Sequence, residues 1–265
     1  MNVSLPVTDP VLLRRDDGPI AWLTLNRPQA RNALSVALMA ALEAELHAIR
    51  VDPAIQVIVL GGTGPAFCAG HDLREMRANP GRDAYAALFD QCSRLMQQIV
   101  HLPKPVIARV HGVATAAGCQ LVASCDLAIA ADSARLATPG VNIGLFCSTP
   151  MVALSRAIGR KAAMGMLLTG DLISASEAHR IGLINRAVPD DLLDSEVASL
   201  ASRTASKSPL TLAIGKEAFY RQAEMDLASA YAYASEIMTR NMMARDAGEG
   251  IDAFLEKRPP TWTGT

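Results

Sequence analysis

The chain has 265 residues, half of them hydrophobic, with 25 basic and 26 acidic side chains and a formal charge of −1. That length and apolar fraction support one large core or two small ones. The near-neutral balance excludes a broad basic field for nucleic acid and an acidic tail, so any bound anion must be held by local groups.

The opening residues MNVSLPVTDP carry no basic stretch followed by an apolar run. No window of the chain reaches the roughly 18 apolar residues that a bilayer span needs, and the chain reads as soluble, cytoplasmic and free of membrane contact. VLLRR (11–15), DDGP (16–19) and IAWLTL (20–25) predict a β-hairpin, two β-prone runs around a Gly/Asp turn. Ser35 is a predicted N-cap for a helix bearing Leu38, Leu42, Leu46 and Ile49 at helical spacing. VIVLGG (57–62) then reads as a short buried strand ending in a glycine loop.

A second round follows: a helix through 83–100, the breaker LPKP, a strand PVIARV (105–110), a small-residue loop, a helix from about Ala116, and the strand DLAIAA (126–131). Beyond Pro150 the pattern turns helical, over 151–158, 160–168, 176–181, 191–206, 210–222, 227–243 and 246–256. With the β signal in the first half and no Pro/Ser/Gly linker, the reading is one α/β domain over 1–265. A sheet-rich core spans about 1–200, and helices over about 201–265 cap it or mediate assembly. The five cysteines (68, 92, 119, 125 and 147) are odd in number and form no C-x-x-C pair, which points to a reduced compartment. GGTGPAFCAG (61–70) fits neither dinucleotide nor P-loop spacing, because Phe67 takes the third glycine's place and no lysine follows.

Two loops carry the chemical signal, AFCAGHDLREM (66–76) and HGVATAAGCQLVAS (111–124), each after a predicted strand. Asp72 with Glu75 has the spacing of a capping box, which sets the His71 amide just before a helix N-terminus. Ala116, Ala117 and Gly118 enter a helix with little side chain, leaving backbone N–H groups without intrahelical acceptors. Two such amides converging on one carbonyl would make an oxyanion hole, although Gly/Ala loops after strands more often serve close packing.

Seven segments in order decide between those readings. RPQARNALS (27–35), AFCAGHDL, KPVIARVHG (104–112), AAGCQLVASCDLAIA, ATPGVNIGL (137–145), SASEAHRIGLINRAVP (174–189) and AFLEKRPPTW (253–262) resemble the signature segments of the crotonase (enoyl-CoA hydratase/isomerase) superfamily. CAGHDLREM and TPGVNIGLFCSTP are most similar to its enoyl-CoA hydratase domain-containing 3 type. The resemblance implies a ClpP/crotonase-like spiral of β-β-α units with a C-terminal helical region, assembled as a homotrimer or hexamer. It implies an enzyme that takes acyl-CoA thioesters, with coenzyme A as part of the substrate and no tightly bound cofactor.

By motif position, the resemblance assigns the oxyanion amides to His71 and Ala117. Family hydratases place glutamates at the positions that read Gln120 and Gly140 here. A glutamine hydrogen-bonds but does not cycle between acid and carboxylate, and glycine has no side chain, so efficient hydration is not expected. Restoring both glutamates is expected to raise it. Malonyl-type decarboxylation or isomerisation stays open, as does a non-catalytic acyl-CoA binder or regulatory subunit. Ser148 is a weaker candidate for positioning water, against the reading that it caps the helix after Pro150. Arg31, Ala33, Leu34, Ala69 and His71 match segments that touch coenzyme A, and Lys257 a position that meets its phosphates. Asp72 reads as a cap, Cys119 and Cys147 as small buried hydrophobes, and His111 as a packed, hydrogen-bonded histidine. No metal-ligand spacing is present.

Overall fold

Runs that are apolar at successive positions suit parallel strands buried on both faces. VIVLGG, PVIARV and DLAIAA take that role in the computed structural model, which describes residues 9–265. The leader reading of MNVSLPVTDP, for residues 1–8, lies outside the described residues. The strands are β1 (Leu12–Asp17), β2 (Ile20–Leu25), β3 (Val57–Gly62), β4 (Val106–Val110), β5 (Val113–Thr115), β6 (Leu127–Ala131), β7 (Arg135–Ala137), β8 (Ile173–Ser174) and β9 (Arg186–Val188). One sheet has the order β1-β2-β3-β4-β6-β9, parallel except for the predicted β1/β2 hairpin, and β5-β7-β8 form a second.

The helices are α1 (Val36–Val51), α2 (Leu73–Ala78), α3 (Arg82–Val100), α4 (Ala117–Ser124), α5 (Ser148–Ala157), α6 (Arg160–Thr169), α7 (Ala175–Arg180), α8 (Leu193–Ala205), α9 (Pro209–Gln222), α10 (Leu227–Met242) and α11 (Arg245–Glu256). The predicted helices beyond Pro150 agree with these to within about three residues. Ser35 caps α1 as expected, its hydroxyl accepting from Leu38 N–H at 3.2 Å. The β signal is less confined than predicted, because β8 and β9 belong to the second half.

Leu23, Leu60 and Ala108 on one face of the large sheet join Leu42 of α1 and Leu95 of α3 in the main core. On the other face Val57, Val59, Ile107 and Ile129 meet Val197 and Ala201 of α8. In contrast, α9 and α10 contribute no residue to either core. No helix among the described residues is long and apolar enough to cross a membrane.

A buried carboxylate ties down the C-terminus. Asp246, 1% exposed, accepts from Ser208 Oγ at 2.6 Å, Thr263 N–H at 2.7 Å, Thr263 Oγ1 at 2.8 Å and Gly264 N–H at 3.0 Å. Burial pushes its pKa up, but these donors outweigh it and hold the carboxyl below its ordinary value. A carboxyl depressed on folding stabilises the protein above its unfolded pKa and loses that contribution as pH falls through the folded one. Asp246→Ala is therefore expected to cost about 2–3 kcal/mol at pH 7 by urea unfolding, with the gap to wild type closing below about pH 4.

Candidate active site

The first loop, 66–71, is held on two sides by backbone hydrogen bonds. On one side Ala69 N–H donates to Arg31 O at 3.0 Å, Leu34 N–H to Gly70 O at 2.7 Å and Asp72 N–H to Leu34 O at 3.2 Å. On the other, Phe67 N–H donates to His111 O at 3.0 Å, Cys68 N–H to Val113 O at 3.1 Å and Thr115 N–H to Cys68 O at 3.0 Å. Thr115 Oγ1 adds a bond to Ala69 O at 3.1 Å. Within this ladder the His71 and Ala117 amides donate to no protein acceptor among the described residues. The structure thus brings the predicted residues Arg31, Ala33, Leu34, Ala69, His71 and Ala117 into adjoining segments.

Glycine permits the approach of the second loop. Gly70 has φ +98°, and a Cβ there would lie 2.9 Å from Ala116 Cβ and 3.3 Å from Ala117 N. On Gly118 a Cβ would lie 2.1 Å from the Cys68 carbonyl oxygen, so the first turn of α4 rests directly on the backbone of the first loop. Ala116, between them, holds φ +51° and ψ −118°, a region that only glycine adopts without strain. Ala116→Gly is expected to stabilise the fold by about 1 kcal/mol, strain relief exceeding the entropy of glycine. Denaturant midpoints check it, and a loss of stability would contradict the strain.

Side chains sequence reasoning passed over organise the same loops. Buried Asn32 donates from Nδ2 to Thr63 O at 2.9 Å and Ala66 O at 2.8 Å, and accepts Arg27 N–H at 2.8 Å. Arg27 reaches Ala33 O at 2.6 Å and Asp72 Oδ2 at 2.8 Å. Their only signal is the NRPQARN segment of 26–32, which has no local period. Asp72 caps α2 as predicted, but Glu75 does not close the capping box: its Oε2 accepts from Val36 N–H at the start of α1, 3.1 Å away.

The His71 ring turns inward, edge-on to Phe89 of α3 at 5.5 Å between centroids, with a buried Nε2 that has no hydrogen-bond partner among the described residues. Burial pushes its pKa down to about 4, so the imidazole is neutral at pH 7. Gln120 is 4% exposed, and its Oε1 lies 4.0 Å from Cys92 Sγ on α3. Gly140 starts a tight turn whose carbonyl accepts Leu145 N–H at 2.9 Å. A Cβ on Gly140 would lie 2.5 Å from Leu145 O and 2.9 Å from Cys147 Sγ. The expected gain from restoring both glutamates is therefore corrected, because position 140 has no room for one while the backbone at Leu145 stays in place.

Ser148 does not cap a helix after Pro150. It is itself the first residue of α5, exposed, with Pro150 inside the first turn, and its hydroxyl reaches only Phe146 O at 3.4 Å. Lys257 ends α11 in a left-handed conformation and is exposed. Among the described residues it makes no hydrogen bond or ion pair with the 31–34 or 69–71 segments. Burial pushes the thiols of Cys68, Cys92 and Cys119 up to about 12, which leaves them protonated, and all five cysteines are free.

A β-β-α spiral with two abutting strand-to-helix loops and paired free amides defines a crotonase-type protein. Residues 15–265 match the Enoyl-CoA hydratase/isomerase family, and the chain belongs to that family, whose members act on acyl-CoA thioesters. It is 46% identical to the rat (Rattus norvegicus) "Enoyl-CoA hydratase domain-containing protein 3, mitochondrial" over 97% of this chain and 86% of that protein. Among solved structures it resembles an enoyl-CoA hydratase of Mycobacterium smegmatis, with TM-score 0.94 and 54% identity over 96% of this chain and 99% of that one. The human enoyl-CoA hydratase domain-containing protein 3 gives TM-score 0.92 and 46% identity over 95% and 100%. The cytoplasmic expectation is overturned by these relatives, since the rat, mouse and human proteins are named as mitochondrial.

Proposed function

We propose that this protein polarises the carbonyl of an acyl-CoA thioester with the His71 and Ala117 amides and works through an enolate-like oxyanion without a carboxylate pair. The observation that carries this reading is the two unpaired amides on adjoining loops, beside a position 140 closed to any side chain. Preorganised donors of this kind contribute about 10²–10³ each to rate. Coenzyme A lies along Arg31, Ala33, Leu34 and Ala69, with Lys257 as its phosphate contact and no tightly bound cofactor.

Efficient hydration needs a group that both takes and returns a proton, and Gln120 and neutral His71 do not supply one at pH 7. Malonyl-type decarboxylation asks less: the bond to the carboxylate breaks, its electron pair enters the thioester enolate, carbon dioxide leaves, and a proton then adds to carbon. Isomerisation is the other reaction of this class. A second reading, a non-catalytic acyl-CoA binder or regulatory subunit, is favoured by the burial of Gln120 against Cys92. Assembly as a homotrimer or hexamer is supported by the apolar side chains that α9, α10 and α11 leave exposed, Phe219, Leu227 and Phe254 among them.

Mass spectrometry of a mixed panel of 2-enoyl and malonyl-type thioesters, with retention of each by the protein, tests the proposal. Loss of carbon dioxide supports the decarboxylase, and gain of water at a hydratase-like rate sinks the argument from Gln120 and Gly140. Retention with neither a mass change nor a new chromatographic isomer leaves the binder.

A further inference from the structure

The two amide-bearing loops run side by side from His111 and Gly64 at one end to Ala117 and Gly70 at the other, and a side-chain chain closes the first end. Arg109 Nη1 lies 3.2 Å from His111 Nδ1, and His111 Nε2 lies 2.9 Å from the Gly64 carbonyl. A guanidinium only donates and a carbonyl only accepts, so Nδ1 is the acceptor and Nε2 carries the proton; both bonds are made only by the neutral ring. Arg109 Nε in turn pairs with Asp194 in the first turn of α8. The His111 backbone carbonyl takes the Phe67 N–H, and Gly112, at φ +58°, comes so close that a Cβ would lie 2.1 Å from Pro65 O.

We propose that His111 is a positioning residue for the amide pair: held between Arg109 and the Gly64 carbonyl, it sets the register in which residues 64–71 lie against 112–117. The inference rests on the reading of the His71 and Ala117 amides as donors to a thioester carbonyl. His111 touches no substrate and acts through the ladder: it stands six residues before Ala117, and the Gly64 carbonyl that it holds stands seven residues before His71. Protonating it removes the Arg109 bond and sets two cations side by side. Arg109 lines a surface cleft whose other charged groups are Asp194 of α8, and Arg15 and Asp17 of β1, which pair with each other at 3.7 Å. Burial and Arg109 lower the imidazole pKa, while Gly64 and Asp194 oppose them. The latch is therefore closed at neutral pH and opens in acid.

Acetyl-CoA carries the carbonyl and coenzyme A does not, so their affinity ratio reads the amide pair. Calorimetric titration of both ligands from pH 8 to pH 5 should show a wild-type preference for acetyl-CoA of about tenfold that falls in acid. His111→Ala should lose the preference at every pH with coenzyme A affinity unchanged. His111→Gln, which retains a donor for Gly64 and does not titrate, should keep the preference and flatten its pH dependence. Hydrogen exchange reads the loop without ligand: the Phe67 and Cys68 amides should exchange at least about tenfold faster in His111→Ala than in wild type. An intact preference in His111→Ala, or unchanged exchange, overturns the proposal. Failure of wild type to bind either ligand instead overturns the acyl-CoA reading and removes this role with it.

Discussion

Gly118→Ala is expected to lower turnover of whichever thioester the protein processes by at least about 10²-fold, and to cost about 3 kcal/mol of stability. The added Cβ would stand 2.1 Å from the Cys68 carbonyl oxygen, where ordinary contact needs more than 3 Å. Neither side yields cheaply. Cys68 is fixed through its N–H to Val113 and its carbonyl to the Thr115 N–H, and Gly118 belongs to α4. The helix must lift from the loop by about 1 Å, and the His71 and Ala117 amides part with it; misplacement on that scale costs about 10²-fold in rate. Gly165→Ala is the control. Gly165 is exposed on α6 with nothing within 4 Å of its would-be Cβ, so alanine should be neutral or stabilising by about 0.5–1 kcal/mol. Denaturation midpoints and the acetyl-CoA preference of both variants are the measurements. A Gly118→Ala protein that retains wild-type stability and preference would show that the close approach is not needed.

The second large effect is expected at the root of the C-terminal helices. Lys216 of α9 has a side chain 7% exposed. Its Nζ donates to Ile99 O at 2.9 Å, Lys104 O at 3.0 Å and Asp126 Oδ2 at 2.6 Å. Asp126 also accepts Val106 N–H at 2.7 Å and the Tyr220 hydroxyl at 3.0 Å. One ion pair thus joins α9 to the end of α3, the start of β4 and the approach to β6. Removing one partner leaves the other buried without compensation, so Asp126→Ala is expected to destabilise by about 3–5 kcal/mol. Replacing both, Lys216→Met with Asp126→Ala, should cost clearly less than the sum of the same two single changes, because no lone charge remains. A strictly additive cycle would show that the pair is not coupled. Since α9 and α10 contribute no residue to either hydrophobic core, the single change should also loosen the helical region that the assembly proposal depends on.

Much of this was legible before any coordinates, and the reason is range. The β1/β2 hairpin, the Ser35 cap and the helices beyond Pro150 are written in capping residues, turn residues and apolar spacing within a few turns of chain. The absence of glutamate at positions 120 and 140 was likewise plain from motif order, and it is the fact on which the chemical proposal turns. Family membership came from seven short segments in sequence, which no single loop would have supported.

Contacts between distant segments were not legible. Strands β5, β7, β8 and β9 have two or three residues each, too few for an alternation, and exist because partners elsewhere supply their hydrogen bonds. Glu75 carries the spacing of a capping box yet turns to Val36, because α1 presents an unpaired N–H within reach. The motif position of His71 says nothing of where its ring points, and only packing against Phe89 decides that the ring is buried and neutral. The same holds at Gly140: sequence shows that a carboxylate is missing, whereas the fold of residues 141–147 back onto it decides that none can be restored. Local propensity determines what each segment forms, and the tertiary structure determines which backbone atoms come close enough for a single methyl group to matter.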